Sequence, residues 1–310
     1  MSTNYDLTHT GLSDVSIPNI GFSTTDKAPE DAPREWDRAL PFLAQKVIDK
    51  GYELPFPYGV GLTYVYVDQE QLLDELEIGF NGSEKTPMQF VSFDSASSIN
   101  NSVQMKFDTW LFPFMNVFAL LGKVDGEAPL EFTLDGDDTL SQLGLDCSSP
   151  PPRNPLCGAL EGREVTVPVD AKFNGITYGL GTVLAGGWNN YFVTIPLTFT
   201  YADMEGSETE GTVFTTSPRV GYVFTLPSAG KLAVYAGGSY LESDLTVSGS
   251  VTIPDSSVNV DYKIQQSNKD KWNALLGTNY DINGRWSVAA EYQGLTGSRE
   301  SFIASLGYRF

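Results

Sequence analysis

From residue 57 to the carboxy-terminus, apolar side chains recur at every second position, which is the period of an extended strand. In Tyr58-Gly-Val-Gly-Leu-Thr-Tyr-Val-Tyr66 the even positions are large and apolar. Val103, Met105, Phe107, Thr109 and Leu111 alternate with Gln104, Lys106, Asp108 and Trp110. After a tight turn at 112–116, Phe118, Leu120, Gly122 and Val124 continue the apolar series. The second half is more regular. Ile176, Tyr178, Leu180 and Leu184 oppose Thr177, Gly179 and Gly181, and Tyr191, Val193, Ile195, Leu197 and Phe199 oppose Thr194, Thr198 and Thr200. Val220, Tyr222 and Phe224 oppose Arg219 and Gly221; Leu232, Val234 and Tyr240 oppose Lys231, Gly237 and Ser239. Trp272, Leu276 and Tyr280 oppose Lys271, Asn279 and Asp281; Trp286, Val288 and Tyr292 oppose Arg285, Glu291 and Gln293.

Before residue 57 the pattern differs. Residues 1–32 are polar and lack any period. Over 33–50, Trp36, Leu40, Leu43, Val47 and Ile48 share a stripe, which predicts an amphipathic helix kinked or restarted at Pro41 and stopped at Gly51. The chain therefore divides into 1–56, a polar arm with a helix, and 57–310, an all-β unit.

The minority face decides what kind of β unit this is. A soluble sandwich keeps its charges outside and its bulk inside. Here the face opposite the bulky residues is small, polar and occasionally charged on nearly every strand. That predicts a closed antiparallel transmembrane β-barrel, lipid outside and a polar interior within. Short turns at 112–116, 187–190, 227–230 and 283–284 alternate with long links at 67–101, 125–174, 202–211 and 246–270, as at the two ends of such a barrel. The count is about ten strands, or twelve if 76–80 and 88–93 form a further hairpin. Trp110, Phe112, Phe114, Trp188, Tyr191, Trp286, Tyr308 and Phe310 gather near the short turns, where a girdle at the headgroup layer is expected. The helix of 33–50 then serves as a plug in the lumen or a lid on the periplasmic rim.

The last strand carries a more particular signal. In Ser301-Phe-Ile-Ala-Ser-Leu-Gly-Tyr-Arg-Phe310, Phe302, Ala304, Leu306, Tyr308 and Phe310 share one side, with Ile303 the single apolar residue on the other. This ending resembles the closing strand of bacterial outer-membrane β-barrels. The resemblance implies that Phe302, Tyr308 and Phe310 belong to an address read by the barrel-assembly machinery, and that the protein resides in the outer membrane of a Gram-negative bacterium among lipids and lipopolysaccharide. Export needs a signal peptide, and none precedes Ser2, so Met1 is expected to begin the processed form.

Composition narrows the functions. The 310 residues include 30 Gly, 15 Tyr and 18 Phe, the residues that barrel strands and girdles consume. No apolar run of about 18 residues exists for a spanning helix. A net charge of −20 opposes nucleic-acid binding, which needs Lys and Arg. Cys147 and Cys157 flank a Pro-rich stretch with no histidine nearby, which favours a disulfide over a metal site.

Candidate chemistry is sparse. His9, in the polar arm, is the one histidine. Barrel enzymes of the family this chain resembles (omptin proteases, lipid A deacylases and outer-membrane phospholipases) rely on a histidine in or atop the barrel, so no enzyme is expected. The lumen-facing charges expected are Lys106, Asp108, Lys231, Lys271, Arg219, Asp281, Arg285, Glu291 and Arg309. They either pair into a salt-bridged plug or line a narrow polar pathway. Asp135, Asp137 and Asp138 offer closely spaced oxygens for Ca²⁺ or Mg²⁺ but lack the rest of an EF-hand loop; no other cofactor is expected. The acid of Asp68, Glu70, Asp74, Glu75, Glu77, Asp146, Asp203, Glu205, Glu208 and Glu210 falls in the long links. Two functions follow: a narrow, porin-like channel or binding protein for small solutes, or a structural or surface-recognition barrel whose acidic loops bind cations, lipopolysaccharide or a protein partner.

Overall fold

A computed structural model describes residues 35–310, apart from 51, 89–91, 149–153, 205–209, 228 and 253–257. His9 and most of the polar arm therefore lie outside the described residues, as do Glu205, Glu208 and the tip of the Pro-rich loop. Thirteen strands form one antiparallel sheet. They are β1 (Tyr58–Phe80), β2 (Thr86–Met88), β3 (Ser92–Phe112), β4 (Met115–Asp135), β5 (Glu164–Trp188), β6 (Tyr191–Met204), β7 (Glu210–Thr216), β8 (Arg219–Leu226), β9 (Gly230–Thr252), β10 (Asn259–Asn268), β11 (Trp272–Asp281), β12 (Trp286–Gln293) and β13 (Arg299–Arg309).

The sheet closes because β1 pairs with β13 over Gly59–Gln69 and with β3 over Tyr58–Glu70. Wall positions number ten. β7 and β8 share one between β6 and β9, broken at Ser217–Pro218, where a proline cannot donate to the ladder. β10 and β11 likewise share one beside β9. β2 is a three-residue flap on β1, so the further hairpin that would have made twelve strands does not form. Among the described residues no helix is long and apolar enough to cross a membrane.

The bulky residues point outward. Leu62, Tyr64, Val103, Met105, Phe107, Tyr178, Leu180, Phe199, Leu276 and Leu306 are all exposed, while Thr63, Gln104, Thr177, Thr194, Thr198 and Ser287 are buried in the barrel. On β1 the belt runs from Tyr58 to Tyr66 and on β13 from Phe302 to Phe310, matching the roughly 9–11 residues a tilted strand needs to cross the hydrocarbon. At the short-turn rim the rings touch in a chain. Phe112 stacks on Phe114 with centroids 5.5 Å apart, Trp188 on Tyr191 at 5.9 Å, and Trp286 meets Tyr308 at 4.8 Å.

Three expectations are corrected in detail. First, Trp110 is not in the girdle; it is buried inside the barrel beneath the Arg309 guanidinium, 5.8 Å from its centre. Phe118, Leu120 and Val124 also face inward, and Leu121 is the exposed neighbour, because the register that pairs Met105 with Leu121 and Asp108 with Phe118 keeps the odd positions of both β3 and β4 toward lipid. The room comes from glycine. Phe118, Phe192 and Tyr235 each lie directly across the ladder from a glycine (Gly181, Gly221 and Gly277), and a Cβ on any of the three would sit within 2.5 Å of the ring.

Second, the helix of 33–50 shortens to α1 (Ala44–Ile48). Leu43 of the expected stripe is exposed, Trp36, Leu40, Val47 and Ile48 are half-buried, and only Ala44 and Pro41 are buried nearby. The segment 35–57 rests on the short-turn rim. The Phe42 amide donates to the Leu111 carbonyl, the Phe42 ring meets Phe112 at 5.8 Å, and the Pro57 carbonyl accepts from the Trp110 amide.

Third, the long links are largely strand. β1, β3, β4, β5 and β9 run on well past the belt, and β10 pairs with the upper parts of both β9 and β1, closing the wall above the short β12–β13 connection. The orientation inverts there. Register shifts on β1 between Asp74 and Leu76, a bulge that turns Leu76, Ile78 and Phe80 inward. With Val124, Ala202, Val213, Leu241, Val260, Tyr262 and Ile264 they form an ordinary apolar core. Two short helices cap it, α2 (Gly136–Gln142) and α3 (Pro155–Leu160), contributing Leu140, Leu156 and Leu160. The Cys147–Cys157 disulfide, with Cα atoms 5.6 Å apart, staples this cap.

Candidate functional site

Inside the wall the side chains stack in four layers. The lowest, at the short-turn rim, centres on Asp108. Arg309 donates to its Oδ1 from Nη1 at 3.0 Å and Nη2 at 2.6 Å, Asn116 donates at 2.7 Å, and Lys106 Nζ stands 3.5 Å from Oδ2. Arg309 also donates from Nε to the Phe56 carbonyl, tying the amino-terminal segment to the last strand. A cavity of about 20 Å³ beside Lys106, Asp108, Asn279 and Ser287 has room for roughly one water.

The second layer is a bidentate ion pair with both side chains fully buried. Arg219 Nε lies 2.8 Å from Glu291 Oε2, and Nη2 donates to Oε1 at 3.1 Å. Gln293 donates to the same oxygen at 2.8 Å, and the guanidinium sits 5.5 Å from the Tyr235 ring centre. Val65, Val67, Phe192, Val223, Ala233, Leu275, Ala289 and Ile303 pack around it. Water is thereby displaced from both charges, so the pair depends on its own geometry.

The third layer is a belt of amides and hydroxyls: Gln69, Gln71, Ser98, Asn268 and Ser243 hydrogen-bond in series across β1, β3, β9 and β10. Arg299 joins from β13, donating from Nη2 to the Ser239 hydroxyl at 3.1 Å. The fourth layer is the apolar head with its helical cap.

Several expected lumen charges sit elsewhere. Lys271 is exposed and pairs with Glu242 on the outer surface, because it occupies the break between β10 and β11, where inward parity passes from even to odd positions. Arg285 lies in the turn between β11 and β12 and swings outward over the Phe56 ring, 4.7 Å from its centre. Lys231 is half-buried at the rim, 3.8 Å from Glu53. Lys106, Asp108, Arg219, Asp281, Glu291 and Arg309 are buried inside the barrel. Arg299 escaped the sequence reading: it follows the 294–298 link directly, and only its parity with Ser301 and Arg309 marks it as inward.

The acidic triplet does not converge on one point. Asp135 is the N-cap of α2, its Oδ1 accepting from the amides of Asp137 and Asp138, and Asp137 Oδ1 accepts from the Gly162 amide. Among the described residues no cluster of three acidic, histidine or cysteine side chains is arranged to hold a metal. Asp146 accepts from both the hydroxyl and the amide of Ser148, which hold its carboxyl below the usual carboxylate range. Above the belt, Lys269 pairs with Glu70, and Lys263 lies 3.6 Å from Glu77.

No protein-family model matches the chain, and no curated protein matches it. Its fold is similar to the translocator domain of the autotransporter NalP from Neisseria meningitidis, with 12% identity over 81% of this chain and 88% of that one and a TM-score of 0.33. It is similar to the toluene transporter TodX of Pseudomonas putida (11% identity, 82% and 88% covered, TM-score 0.32) and to the β domain of the Bordetella autotransporter Brka (11%, 82% and 100%, TM-score 0.36). At that level the likeness carries no inference about activity. The transmembrane barrel rests on the strand pairing and the outward apolar belt.

Proposed function

We propose that this protein is a non-enzymatic outer-membrane barrel whose lumen is closed and whose working surface is the acidic head that continues the wall beyond the membrane. One observation carries this reading: the apolar head closes the axis above the amide belt, and the fully buried Arg219–Glu291 pair with its apolar surroundings closes it below. A protein built to pass solutes would keep that axis polar and hydrated. The head instead presents Glu70, Asp125, Glu127, Glu164 and Asp203 outward from its strands, and Asp137 and Asp146 from α2 and the loop that follows it. Such a surface suits divalent cations, lipopolysaccharide bridged through them, or a basic protein partner. In this reading the short turns and the segment 35–57 face the periplasm, and Phe302, Tyr308 and Phe310 direct assembly.

A second reading, a gated passage for small solutes, draws on the few contacts that hold segment 35–57 over the rim. Planar-bilayer recording of the full chain separates the two. The closed-barrel reading expects no discrete openings at either polarity, with or without residues 35–57. Stepwise conductance that rises when the segment is removed would replace it with the gated passage.

A further inference from the structure

The buried charges of the lumen balance except at one place. At the rim Lys106 and Arg309 face Asp108, with Asp281 nearby, and in the middle Arg219 faces Glu291. Arg299 has no such counterpart. It is 2% exposed and forms no salt bridge among the described residues. Asp270, the acid whose charge reaches Arg299, is exposed on the solvent side, where it accepts the Ser298 amide, and forms no ion-pair contact with the guanidinium among the described residues. Only Nη2 of the guanidinium is used, on the hydroxyl and carbonyl of Ser239. Its Nε and Nη1 are buried without a partner, and so is the Ser301 hydroxyl, two positions along the same inward face of β13.

A guanidinium cannot shed its charge near neutral pH, and an unpaired buried charge is strongly destabilising. Two idle guanidinium nitrogens, with three N–H groups between them, and one idle O–H on a single inward face are the donor set of an anion site. We propose that Arg299 and Ser301 hold a small monovalent inorganic anion of chloride size in the polar layer beneath the head. Ser239 fixes the guanidinium plane, and the amide belt of Gln69 and Asn268 gives the ion a polar path to its place. The anion supplies the charge the wall lacks, so folding and anion binding are linked.

The test is thermal unfolding of the full chain in detergent, in sodium chloride or sodium bromide against sodium gluconate at equal ionic strength. Gluconate screens surface charges equally well but is too large for a buried site. The wild-type midpoint is expected to rise by about 2–4 °C in either halide, saturably. Arg299→Gln is expected to lose the halide response, while Lys269→Gln, which removes a surface cation, keeps it. Equal midpoints in halide and gluconate would overturn the site, as would a full response in Arg299→Gln. If Arg299→Gln fails to fold, Ser301→Ala decides: it keeps the charge, and its half-saturating chloride concentration should rise about tenfold through the lost hydrogen bond. An unchanged concentration overturns the proposal.

Discussion

Glu291→Ala lowers the unfolding free energy of the barrel by about 3–5 kcal/mol, the cost of stranding the Arg219 guanidinium where no water reaches it. The alanine removes both contacts of the fork, at 2.8 and 3.1 Å, and also the acceptor of Gln293. Urea titration read by heat-modifiable electrophoretic mobility measures the loss. Arg219→Met combined with Glu291→Leu is the informative partner, since replacing both charges with apolar bulk recovers most of the stability. If the double variant is as weak as the single one, the damage comes from lost shape, and the charge argument fails.

The second large effect concerns the outside. Leu62 is half-exposed midway along the belt segment of β1, beside Leu306 and Met105 on the neighbouring strands. In vesicles, Leu62→Lys is expected to cost about 2–4 kcal/mol, as charges do on the lipid face near the bilayer midplane. Leu72 is comparably exposed ten positions along the same strand, but above the belt. Leu72→Lys should change stability by no more than about 0.5 kcal/mol, as on any watered surface. Equal costs at the two positions would remove the distinction between belt and head.

Much of the barrel was legible because a lipid-facing wall writes bulk and smallness on alternate residues, and the last strand states this most plainly. The head was read as long links, and its faces were not legible. Leu76, Ile78, Tyr262 and Ile264 alternate just as Leu62 and Tyr64 do, yet they turn inward, and periodicity says nothing about which face is wet. The bulge at Asp74–Leu76 that exchanges the faces has no composition signature. The inward aromatics were missed because each depends on a glycine opposite it, a relation fixed by cross-strand register and invisible along one segment. Lys271 and Arg285 show the converse: parity places them inward, but a strand break and a turn release them. Arg299 was lost beside a link that read as a turn, although its spacing from Ser301 and Arg309 was available.

Tryptophan position tests the central claim most directly. The chain has five tryptophans. Trp188, Trp272 and Trp286 are exposed on the outer wall, whereas Trp110 is 1% exposed inside it. Single-tryptophan variants reconstituted in vesicles with brominated acyl chains should show strong quenching at 188, 272 and 286 and almost none at 110. Quenching at Trp110 as strong as at the other three, or none at any of them, would mean that the wall is not turned inside out.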